Sequence, residues 1–233
     1  MHPNAKSFRT AARTSLKGYW GWALLVCLVG GLLGGAQSMG GFSNIIELGR
    51  DYAPDAMQSA LRVFEAGFLS GLSLWGLVTL VIGGAVELGL CAFHTRLNLG
   101  QKPEFASLFE RFDIFLKALG LRLFMGLFTC LWALLFLVPG IVAAYRYSMA
   151  SYLMAEYPDM GIREAVNRSK ELMDGNKGRL FCLDLSFIGW WLLSALTLGI
   201  LGLWVAPYTA AARAAFYLEL TGKPFGLPNA EQA

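Results

Sequence analysis

Five ionisable residues, Glu87, Arg122, Arg146, Asp184 and Arg213, lie inside otherwise apolar stretches of this 233-residue chain. Two acids and three bases can pair with one another, relay a proton or line a polar path. In a hydrocarbon environment such residues face protein or water, and they commonly mark functional positions. On insertion scales an arginine at a helix centre costs about 2.5–3.5 kcal/mol, whereas each Ile or Val returns only about 0.3–0.6. Ile141 and Val142 do not offset Arg146, so its helix is expected to insert together with the strongly apolar segment before it. Glu87, Arg122, Asp184 and Arg213 fall about four to seven residues inside their apolar runs, which at 1.5 Å per residue is one layer roughly 5–10 Å deep. Arg146 is expected above that layer, near mid-bilayer. Glu87 with Arg213, and Asp184 with Arg122 or Arg146, are the expected pairs. Tyr145, Tyr147 and Tyr152, with Ser148 and Ser151, flank Arg146 and read either as polar lining or as core hydroxyls.

Other chemistry is sparse. Glu87, Cys91 and His94 share one helical face, but they spread over about 10 Å, too far to hold a single ion. The cysteines Cys27, Cys91, Cys130 and Cys182 fall in apolar runs without a C-x-x-C, and read as small buried hydrophobes. Two histidines, His2 and His94, exclude an iron centre held by four. "HTRLN", His94 to Asn98, is superficially similar to the H-x-x-x-N of glutamate-type intramembrane proteases, but the Glu-Glu-x-x-x-Arg companion is missing. There is no phosphate-binding glycine loop, zinc spacing, nucleophile elbow or nucleic-acid motif. No catalytic, cofactor-binding or metal-binding residue is assigned, and neither an enzyme nor a nucleic-acid partner is expected.

The elements that must position the charged residues follow from composition. The chain is 56% hydrophobic and 15% charged, with a mean hydropathy of +0.51. Soluble domains carry about 25% charged residues, so an all-α integral membrane bundle is expected. A spanning helix needs about 20 mostly apolar residues. Six spans result, at about 19–41, 69–93, 118–138, 141–157, 180–198 and 202–220, within one transmembrane domain over 1–222; residues 223–233 form a short tail. Pro139-Gly140 is the expected hairpin turn between the third and fourth spans. With a cytoplasmic N-terminus, fourteen loop Lys and Arg fall inside against two, Arg50 and Arg62, outside. That asymmetry places both termini in the cytoplasm. The basic start and the apolar run ending in "GGAQS" also fit a leader peptide. The length of the amphipathic basic region and the Gly-x-x-x-Gly spacing of Gly30, Gly31, Gly34 and Gly35 favour a retained span. A second small-residue strip, Ala206, Ala210 and Ala214, likewise permits close helix contact, within the bundle or between copies.

Three amphipathic segments precede the three hairpins. Lys6, Arg9, Arg13 and Lys17 form a stripe beside Phe8, Ala12, Leu16 and Tyr19. Phe105, Leu108, Phe109, Phe112, Phe115, Leu116 and Leu119 follow helical spacing, as do Ile162, Ala165, Val166, Ser169, Leu172 and Met173, with Asp159 the expected N-cap and Gly175 the stop. Such helices are expected to lie in the headgroup plane with their cations toward anionic lipid.

"FASLFERFDIFLKALGLRLFMGLFTCLWALLFLVPGIVAAYRYSMASYLMAE", "AVNRSKELMDGNKGRLFCLDLSFIGWWLLSALTLGILGLWVAPY" and "AAFYLEL" resemble the bacterial domain-of-unknown-function 975 family over about Lys6 to Leu220. The resemblance implies a small multi-pass protein of the bacterial cytoplasmic membrane and no established reaction. A more distant likeness is to the membrane portion of some glycerophosphodiester phosphodiesterases. Two functions are favoured over a third, an intramembrane enzyme, for which the sequence shows no nucleophile and base within reach. One is a non-enzymatic protein that binds or passes a lipid, hydrophobic peptide or small solute at a cytoplasm-facing charged layer, in a permease-like or peptide-resistance role. The other is a scaffold, homo-oligomeric or organising a protein partner, in which that layer is structural.

Overall fold

A computed structural model describes residues 5–34, 74–135, 137–197 and 200–226. The expected outside loop, Phe42 to Phe68, the end of the first span and the last seven residues lie outside the described residues. Among the described residues, ten α-helices and two 3₁₀ segments run in the order α1 (Ala5–Leu16), α2 (Trp20–Leu32), α3 (Leu74–Asn98), the 3₁₀ segments Phe105–Leu108 and Glu110–Ile114, α4 (Phe115–Leu135), α5 (Leu137–Tyr147), α6 (Ala150–Glu156), α7 (Ile162–Leu172), α8 (Lys177–Leu185), α9 (Ile188–Leu196) and α10 (Gly202–Leu220). No strand occurs among the described residues.

The centre is made by α3 and α10, which meet each other and, between them, α1, α2, α6 and α9. Ala85, Val86, Leu88 and Phe93 of α3 are buried, as are Ala211, Ala212, Ala214 to Leu218 of α10. Asn98 closes α3 by donating through Nδ2 to the carbonyls of His94 and Ala211, each at 3.0 Å. That bond explains why α3 continues five residues past the expected end of its span. The helix expected over the sixth span is α10, which has the expected bounds.

Apolar surface is abundant at the periphery. Leu116, Leu123, Leu127, Leu131 and Trp132 of α4 are exposed, with Trp22, Leu25, Leu28 and Leu32 of α2 and Trp190, Leu192 and Leu193 of α9. Soluble monomers rarely show contiguous apolar patches beyond a few hundred Å². This surface suits association with a membrane. Thr79–Asn98 (20 residues) and Phe105–Trp132 (28 residues) are long and apolar enough to cross one. A third crossing results if α1 and α2 are taken together, although they meet at 103°. Gly18, at φ 85°, supplies the left-handed residue on which the chain turns there.

Three expectations are corrected. Pro139-Gly140 is helical and not the hairpin turn: α4 ends at Leu135, α5 begins at Leu137, and both residues belong to the first turn of α5. Proline suits that turn because its missing N–H has no helical partner there. The fourth and fifth expected spans are each broken. Ser148-Met149 separates α5 from α6, and Ser186-Phe187 separates α8 from α9, leaving helices of 11, 7, 9 and 9 residues. The second amphipathic segment is two 3₁₀ segments leading into α4, and only part of its stripe is covered: Leu108 is buried, while Phe109, Phe112 and Leu116 are exposed.

The apolar stripes of α1 and α7 also turn inward. Phe8, Ala12 and Leu16 are at most 1% exposed, with Phe8 edge-on to Phe216 of α10, their centroids 5.4 Å apart. Burying a Phe or Leu side chain stabilises by about 1.5–3 kcal/mol, which commits these stripes to protein. Ala165, Val166 and Ser169 of α7 are likewise buried; its N-cap is Gly161, not Asp159, while Gly175 sits at φ 72° past its end as expected.

Candidate functional site

Six helices bring polar groups into the apolar interior. At the end of α8, Asp184 receives Arg213 of α10 through both carboxylate oxygens, Nε to Oδ1 at 3.0 Å and Nη2 to Oδ2 at 2.8 Å. The Tyr145 hydroxyl of α5 donates to Oδ2 at 3.0 Å. The Asp184 side chain is 8% exposed and that of Arg213 20%. A planar guanidinium on a carboxylate in this two-point geometry is both directional and charge-assisted.

On α3, Glu87 accepts from the Ser151 hydroxyl of α6 at 2.9 Å. Its charged neighbour is Arg122 of α4, whose Nη1 donates to the Thr79 carbonyl at 3.3 Å. Gly83, one turn before Glu87, makes room for that guanidinium. A Cβ there would meet it and would also lie 2.6 Å from the Gly34 carbonyl oxygen. Arg122 therefore sits beside the C-terminal end of α2, where Gly34 at φ 80° ends the helix and a positive charge is favourable.

Tyr152 joins the two halves. Its ring stacks on Tyr217 at 5.3 Å, its hydroxyl meets the Cys91 thiol, and Glu87, Asp184 and Arg213 are its charged surroundings.

Four of the five expected charged residues thus form one buried layer, with the partners exchanged: Arg213 takes Asp184, and Arg122 accompanies Glu87. Arg146 is not a member. Its side chain is exposed, and only its carbonyl is engaged, by the Ser169 hydroxyl of α7 at 2.9 Å. The cause is the break after Tyr147, which puts Arg146 in the last turn of a short helix, where a cation complements the free carbonyls. Of the expected lining, Tyr145 and Tyr152 join the layer, while the buried Tyr147 ring lies elsewhere, faced by Lys170 Nζ at 5.8 Å.

Sequence reasoning missed a second polar group at the far ends of the same helices. Arg179 donates through Nη2 to both carboxylate oxygens of Glu219, each at 3.0 Å. Glu156 accepts from the Tyr217 hydroxyl at 2.6 Å and pairs with Lys223. Acids at the ends of apolar runs read as loop boundaries, so spacing carried no signal for these pairs. His94 is buried, with Nε2 3.4 Å from the Cys27 thiol. Its Nδ1 has no hydrogen-bond partner, so this contact lacks the third group that orients a nucleophile–base pair.

Residues 134–224, which carry α5 to α10 and so Tyr145, Tyr152, Asp184 and Arg213, match the model of the domain-of-unknown-function 975 family, described as a protein of unknown function. The match covers less than half of the chain, and over that part the chain is similar to the family. The match is narrower than the likeness read from the sequence and leaves out α1 to α3 and nearly all of α4, with Glu87 and Arg122. Comparisons with curated proteins and with solved structures find no match. The likeness to glycerophosphodiester phosphodiesterases is therefore without support. The Asp184–Arg213–Tyr145 cluster lies wholly within the matched region.

Proposed function

We propose that the chain is a non-enzymatic, multi-pass protein of the bacterial cytoplasmic membrane whose charged layer is structural, and that it acts as a scaffold organising a partner. Six crossings are retained in this reading, with α5–α6 and α8–α9 as broken spans. Both termini are cytoplasmic, in keeping with the Lys and Arg asymmetry. What supports the scaffold over a protein that passes an amphiphile is the closure of the layer: Asp184 is bonded by Arg213 and Tyr145 together, and Glu87 by Ser151. A pathway would need these groups presented to water or to a ligand.

The test is thiol accessibility. In a background with the four native cysteines replaced, single cysteines at Leu90, Tyr147, Leu183 and Ala210 are probed in inverted vesicles with a membrane-impermeant reagent. The expected result is no labelling until the protein is denatured. Labelling of the folded protein from the cytoplasmic face would replace the scaffold with a water-filled vestibule.

A further inference from the structure

The outward face of α1 has a feature that the apolar burial of the helix does not explain. Arg9 and Arg13 stand one turn apart and so share a face. Arg9 Nη1 donates to the carbonyl of Ser186 at 3.4 Å, in the break between α8 and α9. Arg13 is exposed and lies over the Tyr208 ring, 5.5 Å from its centroid. Phe187, the other residue of the break, closes the circuit by packing edge-on against Tyr208 at 5.0 Å. The Tyr208 side chain is 7% exposed, yet its hydroxyl has no hydrogen-bond partner. Beside this cationic corner, Leu185, Ile188 and Trp190 are exposed at 45%, 36% and 40%.

We propose that the corner made by Arg9, Arg13, Tyr208 and the α8–α9 break binds the phosphodiester of an acidic phospholipid. A phosphate oxygen suits both guanidinium groups and can accept from the Tyr208 hydroxyl. The exposed Leu185 and Ile188 give an acyl chain apolar contact immediately alongside, which a free anion would not use. An unpaired buried hydroxyl costs about 1–3 kcal/mol, and a lipid oxygen removes that cost. The site rests on the membrane reading above.

The experiment places the full chain in phosphatidylcholine nanodiscs and titrates brominated phosphatidylglycerol, reading tryptophan fluorescence. Quenching is expected to saturate at a low mole fraction. Arg9→Gln and Arg13→Gln each move the midpoint upward about fivefold, the effect of one cationic contact near an acidic surface. Arg163→Gln, which removes the same charge from the exposed face of α7, leaves it in place. Tyr208→Phe raises the midpoint while leaving the thermal midpoint in detergent unchanged or higher. Equal shifts for Arg163→Gln and Arg13→Gln would overturn the site in favour of diffuse surface charge. Equal quenching by brominated phosphatidylcholine would also overturn it, as would suppression by millimolar inorganic phosphate. Failure of the chain to stay in membranes after carbonate washing would defeat the membrane reading itself, a result distinct from all of these.

Discussion

Asp184 and Arg213 satisfy one another so fully that the loss of either leaves the other stranded. Removing one member of a buried pair costs about 3–5 kcal/mol, whereas replacing both by apolar residues of similar volume is often neutral or better. Asp184→Ala or Arg213→Ala should therefore destabilise the protein by that amount in a detergent unfolding assay. Asp184→Leu combined with Arg213→Met should recover most of it; a double variant weaker than both singles would refute the pairing argument. A similar contrast applies to glycine. Gly83→Ala drives a methyl into Arg122 and the Gly34 carbonyl and should cost about 1–3 kcal/mol by overpacking. Gly126→Ala, facing open space on α4, should change the thermal midpoint little. Equal midpoints for the two would show that Arg122 does not hold its position against α3. At this scale the sequence revealed which groups are buried: Glu87, Arg122, Asp184 and Arg213 were visible as charges inside apolar runs. It did not reveal who meets whom, because that depends on which helices become neighbours. Arg146 was misplaced for a definite reason, since its depth was counted along a span taken as continuous.

Helix boundaries divide along similar lines. The bounds of α10 were legible from an apolar run ending at Leu220, and the boundary between α4 and α5 was legible to within a few residues from Pro139. The breaks at Ser148-Met149 and Ser186-Phe187 were not, because no proline or glycine marks either one. They arise where local bonds take over: the Ser148 hydroxyl donates to Tyr145 O at 2.8 Å and that of Ser186 to Leu183 O at 2.6 Å. Such i−3 bonds compete with the helical ladder. For α4, the exposed Leu123, Leu127 and Leu131 carry a direct expectation. Leu127→Arg places a charge near the middle of α4, a 21-residue apolar helix, and should cost about 2.5–3.5 kcal/mol of insertion. The carbonate-resistant fraction of the protein should fall accordingly. An unchanged fraction would mean that this face meets water or another protein instead of lipid.

For the whole molecule, the all-helical class and the membrane character follow from composition, while the arrangement does not. Amphipathic periodicity told that α1 and α7 each bury one face, but not whether against lipid or protein. Phe8, Ala12 and Leu16 went to protein because α10 offers Phe216 and its neighbours as a complementary surface. Gly226 follows α10 back to α1, where a Cβ would come within 2.8 Å of the Ala11 Cα. This closure of the earliest described helix on the latest has a consequence for biogenesis. A ribosome delivers α1 first and α10 last, so throughout synthesis α1 has a cationic face and an apolar face but no partner. In the membrane reading proposed above, its resting place until then is the membrane surface, which accepts both. Docking of α1 then waits for α10, and α1 serves as a latch that closes on the helices made after it.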